Sequence, residues 1–346
     1  MREGGLLFVF ALLLAGCGDG TSSQNGAGRK VITVYSPHGK LKPETGARFE
    51  AAHPGWKVEF LDLGGGEILT RLQEEKGRPV CDVWWGGAPG DFNRAAKLGL
   101  LEPYAPDWTK ILPPEAKAAD GSWVATFRTP EVILFNPQKI KREDVPKTWD
   151  GLLDEKWRGK IVIRDVRPSA TMKTIFSALI LREKSRAGNV EAGFEFLKKL
   201  DANTGSYAAN PNVLYEMMQR EGPLAITLWN LPDAQQLVAE KRPFDYVIPE
   251  QTPVPVEPVA IVKGAPNPDG ARLFHDFVNS PAELLILAKE RFRIPARTDL
   301  PADQLPQWMR ELKLDPMPLD WNELQEHSEE WMVRWDGEIK GRNKAP

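Results

Sequence analysis

Short segments that could hold a small ligand lie at the ends of predicted strands. One is Ser36-Pro37-His38, which follows the β-branched strand of residues 31–35 and ends in an imidazole. Another is Gly86-Gly87, which follows the strand of residues 82–85 and allows a ligand to approach the backbone. Ligand contacts outside the carboxyl ends of strands are typical of open α/β sheets. A lone histidine is more often structural, however, and a Gly-Gly pair can be a simple turn.

Two further segments favour an anion. Successive N–H groups of Gly64-Gly65-Gly66 could cradle a negative group, although such a segment can also be a plain connector. Residues 164–171 read Arg-Asp-Val-Arg-Pro-Ser-Ala-Thr and precede a predicted helix. The unpaired N–H groups and the dipole of a helix start attract negative charge. The alternative is that Ser169 only caps this helix.

The composition excludes several classes of function. Lysine and arginine number 45 against 48 aspartate and glutamate residues, so no basic excess favours nucleic-acid binding. The 2 cysteines and 4 histidines show no zinc-ligand spacing, and we expect neither a metal nor another cofactor. No nucleophile, zinc-protease or nucleotide-binding motif occurs, which predicts a binding protein and not an enzyme.

The N-terminus is typical of an export signal. Residues 6–14 are apolar but too few for a membrane-spanning helix, which needs about 20. Leu14-Ala15-Gly16-Cys17 follows and resembles the bacterial lipobox, whose cysteine is lipidated. We therefore expect a lipoprotein signal peptide at 1–16, an acylated Cys17 and a flexible tether at 17–29. An ordinary signal peptide with an incidental cysteine is the alternative.

This organisation predicts a lipoprotein anchored to a membrane, in the periplasm or at the cell surface. With Cys17 acylated, Cys81 has no partner for a disulfide. We expect Cys81 to be a buried thiol.

Strands and helices alternate along the rest of the chain, whose 346 residues suffice for about two domains. Residues 30–104 read as successive strand–helix units, which predicts a parallel sheet covered by helices. A second series of strands and helices follows, and residues 252–258 form a stiff, proline-rich connector. Apolar residues between Trp321 and Trp335 lie roughly on one helical stripe, which predicts a helix packed against a core.

Four short motifs carry a family resemblance. They are Asp82-Val83-Trp84-Trp85-Gly86-Gly87, Gly99-Leu100-Leu101-Glu102-Pro103-Tyr104, Lys156-Trp157-Arg158-Gly159-Lys160-Ile161 and Val259-Ala260-Ile261-Val262-Lys263-Gly264-Ala265-Pro266. In this order and spacing they resemble type II periplasmic solute-binding proteins over residues 30–338, and the ferric-iron-binding branch most closely.

The resemblance implies an α/β fold of two lobes, with mixed sheets covered by helices, that close on a ligand about a two-strand hinge. It implies lobe one at 30–126 and 259–346, with the C-terminal helices in the latter range. Lobe two and the hinge strands are implied at 127–258. It also implies a monomer that delivers a small molecule to the permease of an ABC importer.

The sequence departs from the family pattern at the metal ligands. Iron-binding members hold Fe(III) with a histidine, a glutamate and a pair of tyrosines, whose hard oxygen donors suit a hard cation. His38 lies near the histidine position, but Gly86-Gly87-Ala88 and Asn230-Leu231 stand where the glutamate and the tyrosines would be. The family also holds an anion at the helix start that corresponds to residues 164–171.

The sequence lacks most of the metal ligands but keeps the helix start that would bind an anion. This combination predicts capture of a small organic anion or zwitterion, such as a phosphonate, a phosphorylated metabolite or a carboxylate. Arg128 and Glu131, on the implied hinge, could bind the two charges of a zwitterion. Aromatic rings could wall the pocket, although each is more often a core residue. The predicted ligand-binding residues are Ser36, His38, Gly65, Gly66, Trp85, Gly86, Gly87, Arg128, Glu131, Ser169, Ala170, Thr171, Tyr207, Trp229 and Asn230.

Three alternatives stay open at this point. Ferric iron or a ferric chelate would need donors from outside the chain. A cation such as a polyamine or thiamine would need tryptophans and carboxylates in the cleft. The candidates are Trp85, Trp229, Glu131 and Glu257. A sensor module that docks on a membrane receptor would share the same anchor and cleft.

Overall fold

The computed structural model describes residues 28–39 and 41–342, and their strands and helices are as follows. The strands are β1 Lys30–Ser36, β2 Trp56–Asp62, β3 Val83–Trp85, β4 Leu101–Glu102, β5 Val124–Arg128, β6 Glu131–Phe135, β7 Ile161–Arg164, β8 Thr204–Ala208, β9 Ile226–Asn230, β10 Asp245–Val247, β11 Val256–Val262 and β12 Ile294–Pro295. The helices are α1 Leu41–Ala52, α2 Gly65–Glu74, α3 Pro89–Lys97, α4 Ala170–Ala187, α5 Glu191–Asn203, α6 Pro211–Gln219, α7 Leu231–Ala239, α8 Pro268–Val278, α9 Pro281–Arg291, α10 Gln307–Arg310 and α11 Trp321–Glu338.

The strands form two sheets, one in each lobe. In the first sheet the order is β12-β5-β11-β3-β1-β2, with β4 paired to β11. Its strands β1, β2 and β3 are parallel, whereas β11 runs antiparallel to all three strands that it pairs with, β3, β4 and β5. The second sheet has the order β10-β6-β9-β7-β8 and also mixes parallel and antiparallel pairs. The prediction of an α/β fold with two mixed sheets covered by helices is confirmed.

Two chain segments cross side by side between the sheets. The first runs from β5 to β6 through Thr129 and Pro130, and the second runs through residues 248–255 to β11. The N–H of Thr129 donates to the carbonyl of Pro255 at 2.9 Å, and the N–H of Glu131 donates to the carbonyl of Pro253 at 3.0 Å. These bonds tie the two crossings into a narrow, two-stranded connection of the kind about which lobes rotate.

Each sheet has its own hydrophobic core. The first core contains Phe49, Trp85 and Phe127, and the second contains Trp149 and Trp229. Separate cores let each lobe keep its internal packing while the crossings bend.

Helix α11 packs on lobe two, although the sequence places residues 259–346 with lobe one. Leu324, Trp331 and Trp335 are buried in the core of the second sheet, and Trp321 is half-buried. The ring of Trp335 meets Phe176 of α4 edge-on at 4.9 Å. The apolar stripe therefore packs against a core, as expected, but that core belongs to the other lobe.

The opposite side of α11 touches lobe one. The Gln325 amide donates to Asp91 Oδ1 of α3 at 2.9 Å, and Asn93 donates to Asn322 at 2.8 Å. A Cβ on Gly90 would lie 1.8 Å from Gln325 Cγ, so only glycine permits this approach. Helix α11 therefore forms a contact between the lobes besides the hinge.

The predicted signal peptide at 1–16, the lipidation residue Cys17 and residues 18–27 of the tether lie outside the described residues. Among the residues that the structure describes, no helix is long and apolar enough to cross a membrane. Cys81 is a buried free thiol, as predicted.

Candidate functional site

The end of β1 places a buried imidazole beside the hinge. Ser36 is fully buried, and its hydroxyl accepts the N–H of His38 at 3.2 Å, which fixes the turn after the strand. His38 Nδ1 lies 3.4 Å from Glu257 Oε2 on β11. The imidazole meets the Trp85 ring edge-on at 4.5 Å. His38 is thus held by packing on one side and by a carboxylate on the other.

Burial sets the charge on this imidazole. It lowers the pKa of His38 to about 4, against the opposing attraction of Glu257. His38 is therefore neutral at pH 7. Its Nε2 is buried and has no hydrogen-bond partner among the described residues.

Glu257 is held as a carboxylate by three neighbours. Burial alone would raise its pKa, but Arg293, His38 and the Thr129 hydroxyl together keep the pKa of Glu257 below its ordinary value. Arg293 lies 3.0 Å from Oε1, and the Thr129 hydroxyl donates to the same oxygen at 2.5 Å. These contacts fix the charge next to the hinge, because Thr129 belongs to one crossing and Glu257 follows the other.

Glycines lie next to the His38 imidazole. Gly86 has φ +92° and Gly87 has φ +121°, backbone conformations that favour glycine. A Cβ on Gly86 would lie 2.2 Å from His38 Nε2, and one on Gly87 would lie 3.6 Å from Gly65 Cα. The predicted segments that contain His38, Gly65 and Gly86-Gly87 therefore meet here. Gly66, in contrast, is exposed, and a Cβ on it would meet no other atom.

On lobe two, the start of α4 presents unpaired backbone donors. The Ser169 hydroxyl accepts the N–H of Met172 at 3.2 Å and so caps the helix. The N–H groups of Ala170 and Thr171 find no partner among the described residues, and Ala170 is exposed. Asn230, which caps α7, lies with Nδ2 3.4 Å from the Thr171 hydroxyl. This arrangement suits an anion.

Charged side chains flank this helix start. Arg164 ends β7, and its Nε is buried without a partner among the described residues. Burial lowers the pKa of Arg164, while Asp233 is among the groups that raise it. Asp233 in turn accepts the Asn230 amide at 2.9 Å. Arg128 lies at the hinge, and its Nε donates to the Pro295 carbonyl at 3.4 Å.

Glu131 is the most buried acid near the hinge. It is 2% exposed, and its Oε2 has no partner among the described residues. Burial raises the pKa of Glu131 well above its ordinary value, and Asp233 and Glu257 raise it further. Burial and these two acids therefore favour the protonated form of its carboxyl.

The three predicted aromatic rings pack inside the lobes and do not form a pocket wall. Trp85 and Trp229 are at most 1% exposed, each in the core of its own sheet. The half-buried Tyr207 donates its hydroxyl to Asp201, and its ring faces Trp335 at 6.4 Å. Their burial reflects the cost of exposing large rings, which favours the core alternative.

Three residues of the candidate site, Thr129, Arg293 and Asp233, were not predicted from the sequence. Thr129 adjoins the predicted Arg128, so its place on the hinge was a usable signal. Arg293 reaches Glu257 from just before β12, and Asp233 reaches Asn230 from the first turn of α7. No local pattern marks either residue.

Two shallow surface concavities lie elsewhere on lobe one. One of about 300 Å³ runs along α2, and the other of about 280 Å³ lies between Tyr104 and Arg272. Neither is lined by a predicted ligand-binding residue. Within the described residues, no group of three or more His, Cys, Asp or Glu side chains could hold a metal ion.

The chain belongs to the family of bacterial extracellular solute-binding proteins, because residues 88–327 match the sequence model of that family. A curated relative in Sinorhizobium fredii, named as the periplasmic-binding protein y4fP of an ABC transporter, is 29% identical over 89% of this chain and 86% of its own. A relative in Salmonella typhimurium, named for binding 2-aminoethylphosphonate, is 26% identical over 86% of both chains.

Solved structures share the fold. Iron-bound HitA from Pseudomonas aeruginosa has a TM-score of 0.75 at 23% identity and covers 88% of this chain and 98% of its own. AfuA from Actinobacillus pleuropneumoniae, with fructose-6-phosphate bound, has a TM-score of 0.74 at 23% identity and covers 90% and 99%. Membership in the family of extracellular solute-binding proteins, and the similarity to a periplasmic-binding protein of an ABC transporter, confirm the prediction that the chain is not an enzyme.

Proposed function

We propose that this protein captures a small organic oxyanion, either a simple anion or a zwitterion, between its lobes and delivers it to the permease of an ABC importer. The oxyanion is a phosphonate, a phosphate ester or a carboxylate. The observation that carries the proposal is the start of α4, where two backbone N–H groups lack partners among the described residues and Thr171 and Asn230 add polar groups. A helix N-terminus attracts a negative group through those donors and its dipole.

Residues on both lobes around the proposed cleft support an oxyanion as the solute. Glycines at 65, 86 and 87 let the segments after β1, β2 and β3 pack closely together on the lobe-one side, and Arg164 supplies positive charge on the lobe-two side. The similar proteins are consistent with such a solute, since one is named for 2-aminoethylphosphonate and another holds fructose-6-phosphate. Closure about the paired crossings would bring the two walls together around the solute.

The proposal includes a lipid anchor at Cys17. The motif Leu14-Ala15-Gly16-Cys17 and the tether that follows support cleavage after residue 16 and acylation of Cys17. The protein would then work as a monomer at a membrane surface, in the periplasm or at the cell surface, beside its permease. Mass spectrometry of the mature N-terminus tests this: an acylated Cys17 is expected, and in Cys17→Ala the protein should leave the membrane fraction.

A ferric chelate is the second candidate, and His38 is the residue that favours it. Its neutral imidazole has an Nε2 without a partner among the described residues, and neutral imidazoles are common iron ligands. The remaining donors would have to come from a chelator such as citrate, since the described residues hold no acid or histidine cluster around it.

Removal of one backbone donor tests the anion site directly. Ala170 is the first residue of α4 and is exposed, and Ser169 before it has extended backbone with φ −110° and ψ 112°. Proline is favoured at this helix position and fits after an extended residue. Ala170→Pro therefore deletes one N–H without breaking the helix, and Ala170→Ser is the matched control that keeps it.

Isothermal titration with 2-aminoethylphosphonate, fructose-6-phosphate, ferric citrate and spermidine gives the readout. We expect at least one oxyanion to bind, and its affinity to fall about tenfold to a hundredfold in Ala170→Pro, since a hydrogen bond to a charged group is worth about 1.5–3 kcal/mol. Ala170→Ser should bind like the wild type. Tight binding of spermidine alone, or equal oxyanion affinity in both variants, would contradict the proposal.

A further inference from the structure

We propose that Glu131 binds an ammonium group on the ligand, so that the captured solute is a zwitterion carrying an amine as well as an oxyanion. This inference rests on the proposed function and narrows its class of solute. Three features of the described residues carry it: an unpaired carboxyl, its position beside the anion site, and the sign of the charges around it.

The carboxyl of Glu131 lacks the partner that buried carboxyls normally have. The residue is 2% exposed, and Oε2 makes no hydrogen bond to the described residues. Burying a polar atom without a partner costs free energy, so such atoms are rare in folded proteins and call for an explanation. A ligand group that donates a hydrogen bond to Oε2 provides one.

The backbone of Glu131 fixes where this carboxyl lies. Its N–H donates to the Pro253 carbonyl and its own carbonyl accepts the Thr252 hydroxyl at 2.5 Å, so the second crossing of the hinge holds it. In the sheet, Glu131 lies directly opposite Asn230. Cross-strand partners project from the same face, and the Asn230 side chain reaches Thr171 at the start of α4. The carboxyl therefore shares a face with the anion site.

The surroundings of Glu131 carry negative charge. The groups that act on it are Asp233 from α7 and Glu257 from β11, and both raise its pKa. Glu257 is already paired with Arg293 at 3.0 Å, and no described lysine, arginine or histidine forms an ion pair with Glu131. A ligand cation at this point would meet one unpaired carboxyl and two acids near it.

The charges around Glu131 determine how protons move when the ligand binds. Without ligand, burial and the nearby acids raise the pKa of Glu131 and so favour its protonated form. An ammonium group that donates to Oε2 stabilises the carboxylate, so the carboxylic proton leaves to the buffer while the ammonium keeps its own protons. Wherever Glu131 is protonated without ligand, binding of an amine-bearing solute therefore releases up to one proton, and affinity rises with pH. A solute without the amine leaves the protonation of Glu131 unchanged.

Two probes and one variant test the inference. 2-Aminoethylphosphonate and ethylphosphonate share the oxyanion and differ in the amine. Glu131→Gln keeps the size and shape of the side chain and one oxygen that can accept a hydrogen bond, so it should fold normally. Titration calorimetry in buffers of different ionisation enthalpy measures both the affinity and the number of protons released.

We expect Glu131→Gln to weaken binding of 2-aminoethylphosphonate about tenfold to a hundredfold, since a charge-assisted hydrogen bond is lost, and to remove the proton that Glu131 releases. Ethylphosphonate should bind the wild type and the variant within about twofold, and any proton that its own phosphonate group releases should be the same in both. Equal binding of both probes to the wild type, or equal weakening of both in the variant, would overturn the inference and leave the proposed function standing. Failure of both probes and of fructose-6-phosphate to bind the wild type would refute the proposed function, and the inference with it.

Discussion

Replacing Gly86 with alanine tests whether the backbone at the end of β3 is shaped around the His38 imidazole. The new Cβ would lie 2.2 Å from His38 Nε2 and 2.5 Å from its Cε1. The imidazole has little room to move, because the Trp85 ring lies 4.5 Å from it and Glu257 lies 3.4 Å from Nδ1. The backbone would also keep φ near +92°, which alanine adopts only with strain.

Two costs contribute to the expected loss of stability. A non-glycine residue in a sparsely populated backbone region costs about 1–3 kcal/mol. Forcing extra volume into a packed site costs about 1–3 kcal/mol more. Gly86→Ala should therefore lower the free energy of unfolding by about 2–6 kcal/mol, a large part of the roughly 5–15 kcal/mol that keeps a domain folded.

The neighbouring glycine is the matched control. Gly87 has φ +121°, but its Cβ would approach no atom closer than 3.6 Å, so Gly87→Ala carries the strain without the clash. Urea denaturation followed by tryptophan fluorescence should give a lower midpoint for Gly86→Ala than for Gly87→Ala. In a His38→Ala background, adding Gly86→Ala should cost only the strain of about 1–3 kcal/mol. Equal losses at the two glycines, or no relief in that background, would refute the reasoning.

Two buried ionisable groups predict opposite effects of pH on stability. Burial lowers the pKa of His38 to about 4 from 6.5, so the unfolded chain binds the extra proton and stability falls as pH drops below 6.5. Between pH 7 and pH 5 this group should cost up to about 2 kcal/mol of unfolding free energy, and urea denaturation of His38→Gln should lack that loss. Burial raises the pKa of Asp91 to about 6 from 3.8, despite Lys173 and Arg94, so stability falls as pH rises from 3.8 to 6 and the full loss is present above pH 6. Asp91→Asn should therefore gain up to about 3 kcal/mol at pH 7.5 and nothing at pH 3.5, while keeping the bond from Gln325; a gain that does not depend on pH would contradict this.

The sequence predicts the fold well because its signals are local. Short β-branched runs such as residues 31–35 alternate with helical stretches, and strand β1 and helix α2 form where these patterns indicate. The order of strands in the sheets depends on long-range pairing, for example β11 between β3 and β5. Only the family resemblance indicated that the chain returns to lobe one there.

The placement of α11 shows where a local pattern stops being informative. The stripe that includes Trp331 and Trp335 predicts a buried helix face, and both rings are buried. The same stripe does not indicate which of the two cores covers it, because an apolar helix face can pack against any apolar surface. The Gly90–Gln325 approach and the Asp91–Gln325 bond, which bring α11 against lobe one, are equally invisible in the sequence.

The candidate site was predictable residue by residue but not as an arrangement. His38 and Gly86 each stand out after a strand, but their close contact depends on how β1 and β3 pair. Glu131 was recognisable as a charged residue on the hinge, whereas its burial and its unpaired oxygen depend on the neighbouring elements. Arg293 belongs to a distant segment and carries no signal of its own.

The most direct test of the account is to identify the small molecule that the purified protein carries. Native mass spectrometry gives the mass of the complex, and denaturation followed by mass spectrometry of the released fraction gives the identity of the solute. We expect an organic molecule with a phosphonate, phosphate or carboxylate group, and with an amine if Glu131 binds as proposed. Release of a ferric ion without a chelator, or of a polyamine without any oxyanion, would contradict the account.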